Sequence, residues 1–220
     1  MFRVIIMNKI KSRRFFSLAE VLVTLAVIGI LVVLTIPTLM QNINDNQYKT
    51  AGKKAYYDLN QVITRMVKDK GTLKDYIGVA GSFYPAFKEY YEEMIGCGLS
   101  GCVISTDTST VYKTYSGNPA FTWLFDEGQL IGKNGMFIMI QNSEDKDLTI
   151  IISVDVNGYK KGPNVLGKDV FTFQIIDDAL KPMGAPGTAR ADHNLYCSKT
   201  SENALNGISC TQKMIMGEDY

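Results

Sequence analysis

The residues with the clearest potential for chemistry lie in one glycine-rich stretch, DVNGYKKGPNVLGKD. Asp155, Asn157 and Asp169 in this stretch supply the hard oxygen ligands that calcium prefers in proteins. The spacing differs from that of an EF-hand loop, because Gly158 comes too early. Turn chemistry, with an Asn-Gly pair and an Asx turn, accounts for the same residue types without a metal. The sequence therefore favours a hairpin loop, with calcium at Asp155, Asn157 and Asp169 as the alternative.

No other group of residues in the sequence indicates catalysis. The only histidine, His193, follows Asp192, but no nucleophile motif accompanies the two residues. The sequence contains no G-x-S-x-G motif, no H-E-x-x-H motif and no phosphate-binding loop motif. We therefore predict no catalytic residue and no enzymatic activity.

The four cysteines form two local pairs along the chain, Cys97 with Cys102 and Cys197 with Cys210. An even count behind a membrane-targeting segment indicates disulfides in an oxidising compartment. Local pairing is the simplest of three connectivities, and buried free thiols are the alternative. Zinc is disfavoured, because neither pair has the two-residue spacing of a metal knuckle.

A long apolar run follows a basic N-terminus. With its apolar flanks, the run at residues 21–37 reaches the roughly 20 residues that a transmembrane helix needs. Residues 1–15 hold five basic residues and no acid, which leaves a net charge of −4 for residues 16–220. A secretory signal peptide has a shorter apolar core that ends in small residues at a cleavage site. The run here is longer, and no such cleavage site follows it. We predict a retained single-pass anchor in the cytoplasmic membrane, with the N-terminus inside and residues 41–220 outside.

One carboxylate, Glu20, stands at the edge of the apolar run. An acidic side chain costs about 2.5 kcal/mol or more at the centre of a membrane helix and less near its edge. Two interpretations of Glu20 therefore remain: the side chain reaches the lipid headgroups, or it has a charged partner within the membrane.

The helical pattern continues past the membrane segment as far as Lys70. Gly71 is placed to end the helix, whereas Gly29 and Pro37 interrupt it, and Pro37 is expected to kink it. This second half is amphipathic and must pack on another apolar surface. Its apolar positions at helical spacing are Ala51, Ala55, Leu59, Val62, Ile63 and Met66.

The remainder of the chain predicts an α+β fold. A short helix is expected near Pro85, and a Ser/Thr-rich, irregular surface loop at residues 105–119. An antiparallel meander follows, with a hairpin turn at residues 126–128, and its sheet supplies the apolar face that the long helix requires. The predicted strands are residues 121–125, 129–131, 136–140, 148–156 and 170–176. The predicted parts of the chain are a leader at 1–15, a transmembrane half-helix at 16–40, an amphipathic half-helix at 41–70 and a globular domain at 71–220.

The stretch FFSLAEVLVTLAVIGILVVLTIPTLMQN resembles the cleavage and methylation segment of type IV pilins and of type II secretion pseudopilins. A basic leader precedes Phe16-Ser-Leu-Ala-Glu20, and Pro37 matches the family's helix-kinking proline. The resemblance covers residues 11–66. It implies a pilin-like fold, in which the long helix packs on a small sheet and a disulfide between Cys197 and Cys210 closes a C-terminal segment.

The resemblance also implies a processing step. In the family, a prepilin peptidase cuts before the phenylalanine, and the new amine is then N-methylated. Cleavage between Phe15 and Phe16 would let Glu20 pair with the Phe16 amine of an adjacent subunit and set the stagger between subunits. Phe15 departs from the glycine usual before the cut, and a cut after Arg14 is the alternative. A leader-like stretch, MNKIKSRRF, begins at Met7 and offers an alternative start.

By this resemblance the chain is expected to be a structural subunit of a type IV pilus or a type II secretion pseudopilus. The implied partners are further copies, other pilin-like subunits, prepilin peptidase, a membrane assembly platform and the lipid bilayer. No nucleic acid is expected, because residues 16–220 are mildly acidic. The alternatives are a minor pilin that binds a ligand through its C-terminal disulfide loop, and an anchored outer domain that does not polymerise.

Overall fold

The computed structural model describes residues 17–91, 94–103, 111–120, 126–132, 134–142 and 150–220. Its helices are α1 (Leu18–Lys70), α2 (Phe83–Glu89), α3 (His193–Tyr196) and α4 (Cys210–Met216), with a 3-10 turn at Lys74–Tyr76. Its strands are β1 (Met94–Gly96), β2 (Gly128–Gly132), β3 (Phe137–Asn142), β4 (Ile150–Asp155), β5 (Val170–Ile176) and β6 (Ala179–Pro182). The strand predicted at 121–125 and the processing site at Phe15 and Phe16 lie outside the described residues.

The chain divides into two compact units. The N-terminal unit ends at Ile43, and the second unit is Asn44–Tyr220. α1 continues through Gly29 and Pro37, so neither residue ends the helix, and the kink at Pro37 stays a prediction. The helix stops after Lys70, where Gly71 has a φ of 83° and donates its N–H to the carbonyl of Val67. The predicted stop at Gly71 is therefore confirmed.

The strands form one six-stranded antiparallel sheet in the order β1-β2-β3-β4-β5-β6. This is a meander, so the predicted α+β class is confirmed. β3, β4 and β5 lie close to their predicted positions, because the β-branched and aromatic runs FIMIQN, IIISVD and VFTFQII favour strands. The edge strands β1 and β6 were not predicted. They contain only three and four residues, too few to show a periodic pattern.

The first face of the sheet packs against α1 and α2. Ile140 pairs with Ile152, which pairs with Phe173, so three adjacent strands place these side chains on one face. α1 adds Leu59 and Ile63, both at most 1% exposed. Burying each such side chain contributes about 1.5–3 kcal/mol. The amphipathic half of α1 therefore has the sheet partner that its spacing required. The other members of this cluster on α1 and α2 are Ala55, Val62, Met66, Phe83, Tyr84, Ala86 and Phe87.

The second face of the sheet is also buried. Phe137, Met139 and Ile151 point to this face and pack in a second cluster that includes Tyr112 and Leu166. Residues 105–119 were predicted to form an irregular surface loop. The described residues 111–119 are irregular, and 117–119 are exposed, but Tyr112 and Thr114 are fully buried. This irregular segment therefore covers part of the second face of the sheet.

The helix–sheet contact on the first face leaves no room for a side chain at Gly52. A Cβ there would lie 2.6 Å from two ring carbons of Phe171, whereas a Cβ at Gly29 would meet nothing within 4 Å. We expect Gly52→Ala to lower the free energy of unfolding by about 1–3 kcal/mol through overpacking. The measurement is thermal unfolding of the full chain in neutral detergent, followed by circular dichroism.

Gly29→Ala is the matched control, because it makes the same substitution in the same helix. It carries the same gain of about 1 kcal/mol in helix propensity without the clash, so its unfolding midpoint should equal or exceed that of the wild type. A Gly52→Ala variant as stable as Gly29→Ala would contradict the packing described.

Candidate functional site

Ser17 and Glu20 cap the N-terminus of α1. The Ser17 N–H donates to Glu20 Oε2 at 2.8 Å, and the Glu20 N–H donates to Ser17 Oγ at 3.2 Å. This reciprocal pair is a capping box, which satisfies two N–H groups at the start of a helix. This capping role of Glu20 was not predicted from the sequence. The pattern Ser-x-x-Glu directly before an apolar run could have revealed it.

The capping box uses only one oxygen of the Glu20 carboxylate. Within the described residues, Glu20 Oε1 accepts no hydrogen bond. Glu20 is exposed in the structure, so this oxygen is open to a cation supplied from outside the chain. The capping role and a pairing role are therefore geometrically compatible.

The N-terminal half of α1 is apolar on all sides. Successive residues, such as 21–23 and 30–34, are exposed, so the apolar surface is not limited to one face. In the described part of the chain, α1 is the one helix long and apolar enough to cross a membrane, and that apolar window has no protein packed on it. Its length and composition fit a single-pass anchor. The exposed apolar residues are Leu18, Val21, Leu22, Val23, Leu25, Val27, Ile28, Ile30, Leu31, Val32, Val33, Leu34, Ile36, Leu39, Met40 and Ile43.

The loop between β4 and β5 brings Asp155 and Asp169 into the interior. Asp155 Oδ1 accepts the N–H groups of Gly158 at 2.8 Å and Asn157 at 3.3 Å, which is an Asx turn. Asp155 Oδ2 accepts the hydroxyl of Tyr112 at 3.0 Å. The turn chemistry expected from the sequence is thus present, and Tyr112 adds a partner that the sequence did not indicate.

Asp169 organises the other end of the same loop. Its Oδ1 accepts the Val165 N–H at 2.7 Å, and its Oδ2 accepts the Asn164 N–H at 2.9 Å. Asn157 Nδ2 donates to the carbonyl of Gly162 at 2.7 Å and closes the loop on itself. All four carboxylate oxygens of the two aspartates therefore accept hydrogen bonds from the protein.

These hydrogen bonds bear on the predicted calcium ligands Asp155, Asn157 and Asp169. The side-chain oxygens of Asn157 and Asn164 are enclosed and accept no hydrogen bond within the described residues. Among those residues, no group of three or more His, Cys, Asp or Glu side chains is arranged to hold a metal. Calcium takes six to eight oxygen ligands, and the carboxylates here already serve backbone N–H groups. Calcium at these residues stays the alternative that the sequence left open.

Burial sets the charge state of the two aspartates. It raises the pKa of Asp155 to about 7, with a further contribution from the negative charge of Asp169. Burial also raises the pKa of Asp169, although the N–H groups of Val165 and Asn164 act in the opposite direction. Two adjacent buried carboxylates therefore resist being ionised together.

Both cysteine pairs are joined locally. Cys97 is bonded to Cys102, and Cys197 to Cys210. The second disulfide joins the end of α3 to the start of α4, so the C-terminal segment is closed as expected. His193 begins α3 but has no nucleophile motif beside it. Asp192 caps this short helix by accepting the Asn194 N–H at 2.8 Å.

Comparisons of the chain with protein-family models, with curated proteins and with solved structures found no match.

The raised pKa of Asp155 predicts a pH-dependent stability. An unfolded aspartate ionises near pH 3.8, whereas the folded group keeps its proton until about pH 7. The folded state then binds the extra proton between these values, so stability falls as pH rises from about 4 to 7. Asp155→Asn should remove this pH-dependent contribution, worth up to about 4 kcal/mol. The stability of the variant relative to the wild type should therefore rise as pH rises. Thermal unfolding of the full chain at pH 4–8 in chelator measures both curves.

Two controls distinguish the effect of the Asp155 charge from the effect of its hydrogen bonds and from that of a bound metal. Asp155→Ala loses the turn at every pH and should be destabilised throughout by about 1–3 kcal/mol. We expect calcium chloride to leave the wild-type midpoint unchanged at pH 7.5. If the stability of the wild type and that of Asp155→Asn change with pH in parallel, the raised pKa of Asp155 is wrong. If calcium clearly raises the unfolding midpoint of the wild type, the loop binds the metal.

Proposed function

We propose that this chain is a prepilin-type subunit that polymerises through its N-terminal helix into a type IV pilus or a type II secretion pseudopilus. The observation that carries the proposal is the composition of α1. Its first half has an acidic capping residue and an apolar surface on all sides, and its second half packs on its own domain through one face. A helix built in this way supplies a membrane anchor before assembly and a filament core after it.

The mechanism is association rather than catalysis. Cleavage before Phe16 releases an amine, and Glu20 Oε1 of one subunit pairs with that amine on a neighbour. In low dielectric such a pair is strong, but it compensates the desolvation cost only when both groups are well placed. Glu20 therefore acts as an assembly residue, and the apolar side chains of α1 supply the contact area between subunits.

The proposed orientation in the membrane rests on the charges of the N-terminus and on the two disulfides. The five basic residues within 1–15 keep the N-terminus on the cytoplasmic side of the membrane. The unit Asn44–Tyr220 then lies outside, where both disulfides are stable. The partners are further copies or other pilin-like subunits, prepilin peptidase, a membrane assembly platform and the bilayer.

The mature N-terminus tests the processing step directly. Full-length chain expressed with prepilin peptidase should begin at N-methylated Phe16, and chain expressed without the peptidase should keep its leader. Terminal-peptide and intact mass spectrometry distinguish the two products.

Other termini would change the proposal in specific ways. A start at Phe15 would mean cleavage after Arg14 and would move the new amine one residue further from Glu20. A leader retained in the presence of active peptidase would contradict the proposal and leave an anchored outer domain that does not polymerise.

Three substitutions separate the capping role of Glu20 from its charge. Gln also forms a capping box, so Glu20→Gln keeps the helix start and removes only the charge. We expect Glu20→Gln to reduce filament yield at least tenfold. Ser17→Ala should cost about 1 kcal/mol of helix capping and leave filament yield near that of the wild type. Glu20→Ala removes both functions and should resemble Glu20→Gln in yield.

The yield is measured as sheared filament from cells that carry the assembly machinery, normalised to membrane-inserted subunit. If Glu20→Gln assembles as the wild type does while Ser17→Ala fails, capping alone explains Glu20 and the charge-pair mechanism is wrong.

A further inference from the structure

A lysine-lined cleft lies at the start of the unit Asn44–Tyr220. Its volume is about 270 Å³, near the lower end of the range for ligand sites. The first turns of α1 in this unit form one wall, and four separate segments of the domain form the rest. The polar and aromatic residues that line it are Asp45, Lys49, Tyr115, Lys168, Lys199 and Tyr220.

The cleft has more positive than negative charge. Lys168 Nζ lies 3.2 Å from Asp45 Oδ1, so these two charges compensate each other. Lys49 Nζ lies 4.6 Å from the centre of the Tyr220 ring, a cation–π contact. Within the described residues, neither Lys49 nor Lys199 has a carboxylate within 4.0 Å. Two cations are therefore left for an anion from outside the chain.

A second cavity adjoins the first through Lys49. Its volume is about 380 Å³, and Lys53 and Thr50 line it together with Asp219. Asp169, the neighbour of Lys168 in sequence, is buried, and its carboxylate accepts backbone N–H groups. It makes no ion pair with the lysines of the cleft in the described structure. The two cavities together offer room for more than a single small ion.

Chain connectivity limits the distance between Lys49 and the end of the apolar segment. Lys49 is six residues after Ile43, a separation that cannot exceed roughly 20 Å even in an extended chain. The headgroup layer of a bilayer is about 5–8 Å thick, and surface charge acts over a further 8–10 Å or so. In a membrane-anchored chain, Lys49 is therefore within reach of lipid phosphates.

We propose that the cleft binds the phosphate of an anionic lipid headgroup through Lys49 and Lys199. The lysines supply the charge, and the rings of Tyr115 and Tyr220 supply the amphipathic walls that suit a membrane interface. The domain contains more acidic than basic residues, so the group of lysines in the cleft is a local feature. The inference depends on the membrane anchoring in the proposed function and not on cleavage or assembly.

The test uses the full chain in neutral detergent, titrated with short-chain phosphatidylglycerol and followed by native mass spectrometry. The variant is Lys49→Gln with Lys199→Gln. The matched control is Lys160→Gln with Lys161→Gln, which removes the same charge from a separate cavity of the same domain. Each lysine near a lipid surface strengthens binding by about fivefold, so the test variant should bind roughly 30-fold more weakly than wild type and control. Unfolding midpoints show that both double variants remain folded.

Further results decide the outcome. Phosphatidylcholine should not bind at the concentrations at which phosphatidylglycerol does, and equal binding of the two lipids would overturn the anionic-lipid assignment. Equal binding of phosphatidylglycerol by the test variant and wild type would overturn the inference. Inorganic phosphate that binds as tightly as phosphatidylglycerol would show that the lipid adds nothing to recognition and would overturn the lipid assignment. Uncleaved chain should bind the lipid equally well, so a failure of processing is distinguishable from a failure of this inference.

Discussion

The contact between the amphipathic half of α1 and the first face of the sheet is the interaction on which the rest of the domain depends. Leu59, Ile63 and Met66 on the helix have almost no exposure, and they meet side chains from β3, β4 and β5. At Gly52 the backbone itself approaches the Phe171 ring. This contact fixes the second half of α1 to its domain, whereas the apolar window of the first half has no protein packed on it within the described residues.

The same sheet imposes a second requirement, because its other face is also buried and combines apolar side chains such as Met139 with the hydrogen-bonded pair Ser153 and Thr172. Irregular segments cover that face, and they bring Tyr112 over the end of β4, where its hydroxyl meets Asp155. Asp155 and Asp169 then act as internal hydrogen-bond acceptors that shape the loop between β4 and β5. Burying two carboxylates is costly, and burial raises the pKa of Asp155 to about 7, so near neutral pH this group is only partly ionised.

The sequence predicted the parts of the fold that have a strong period or composition. α1 and β5 could be placed because their apolar patterns are long, and Gly71 marked the helix end. β6 could not be placed, because its four residues become a strand only through pairing with β5. The burial of Tyr112 was missed for a related reason. The run FIMI in β3 and the run III in β4 lack alternation, which indicates a sheet covered on both faces, but nothing local identifies the covering segment.

The sequence identified Glu20 as a candidate site residue, but it did not predict the hydrogen bonds that this residue makes. Glu20 stood out as a carboxylate at a lipid boundary, and the structure gives it a partner within the chain, the Ser17 N–H. This bond does not compete with an intersubunit pair. It holds the side chain in one conformation through Oε2 while Oε1 stays open, so less side-chain entropy is lost when a cation binds. In the proposed filament, a carboxylate fixed in this way would give a defined stagger between subunits, whereas a freely rotating one would accept the same amine in several registers. Capping the helix and pairing with a neighbour would then be two uses of one ordered carboxylate.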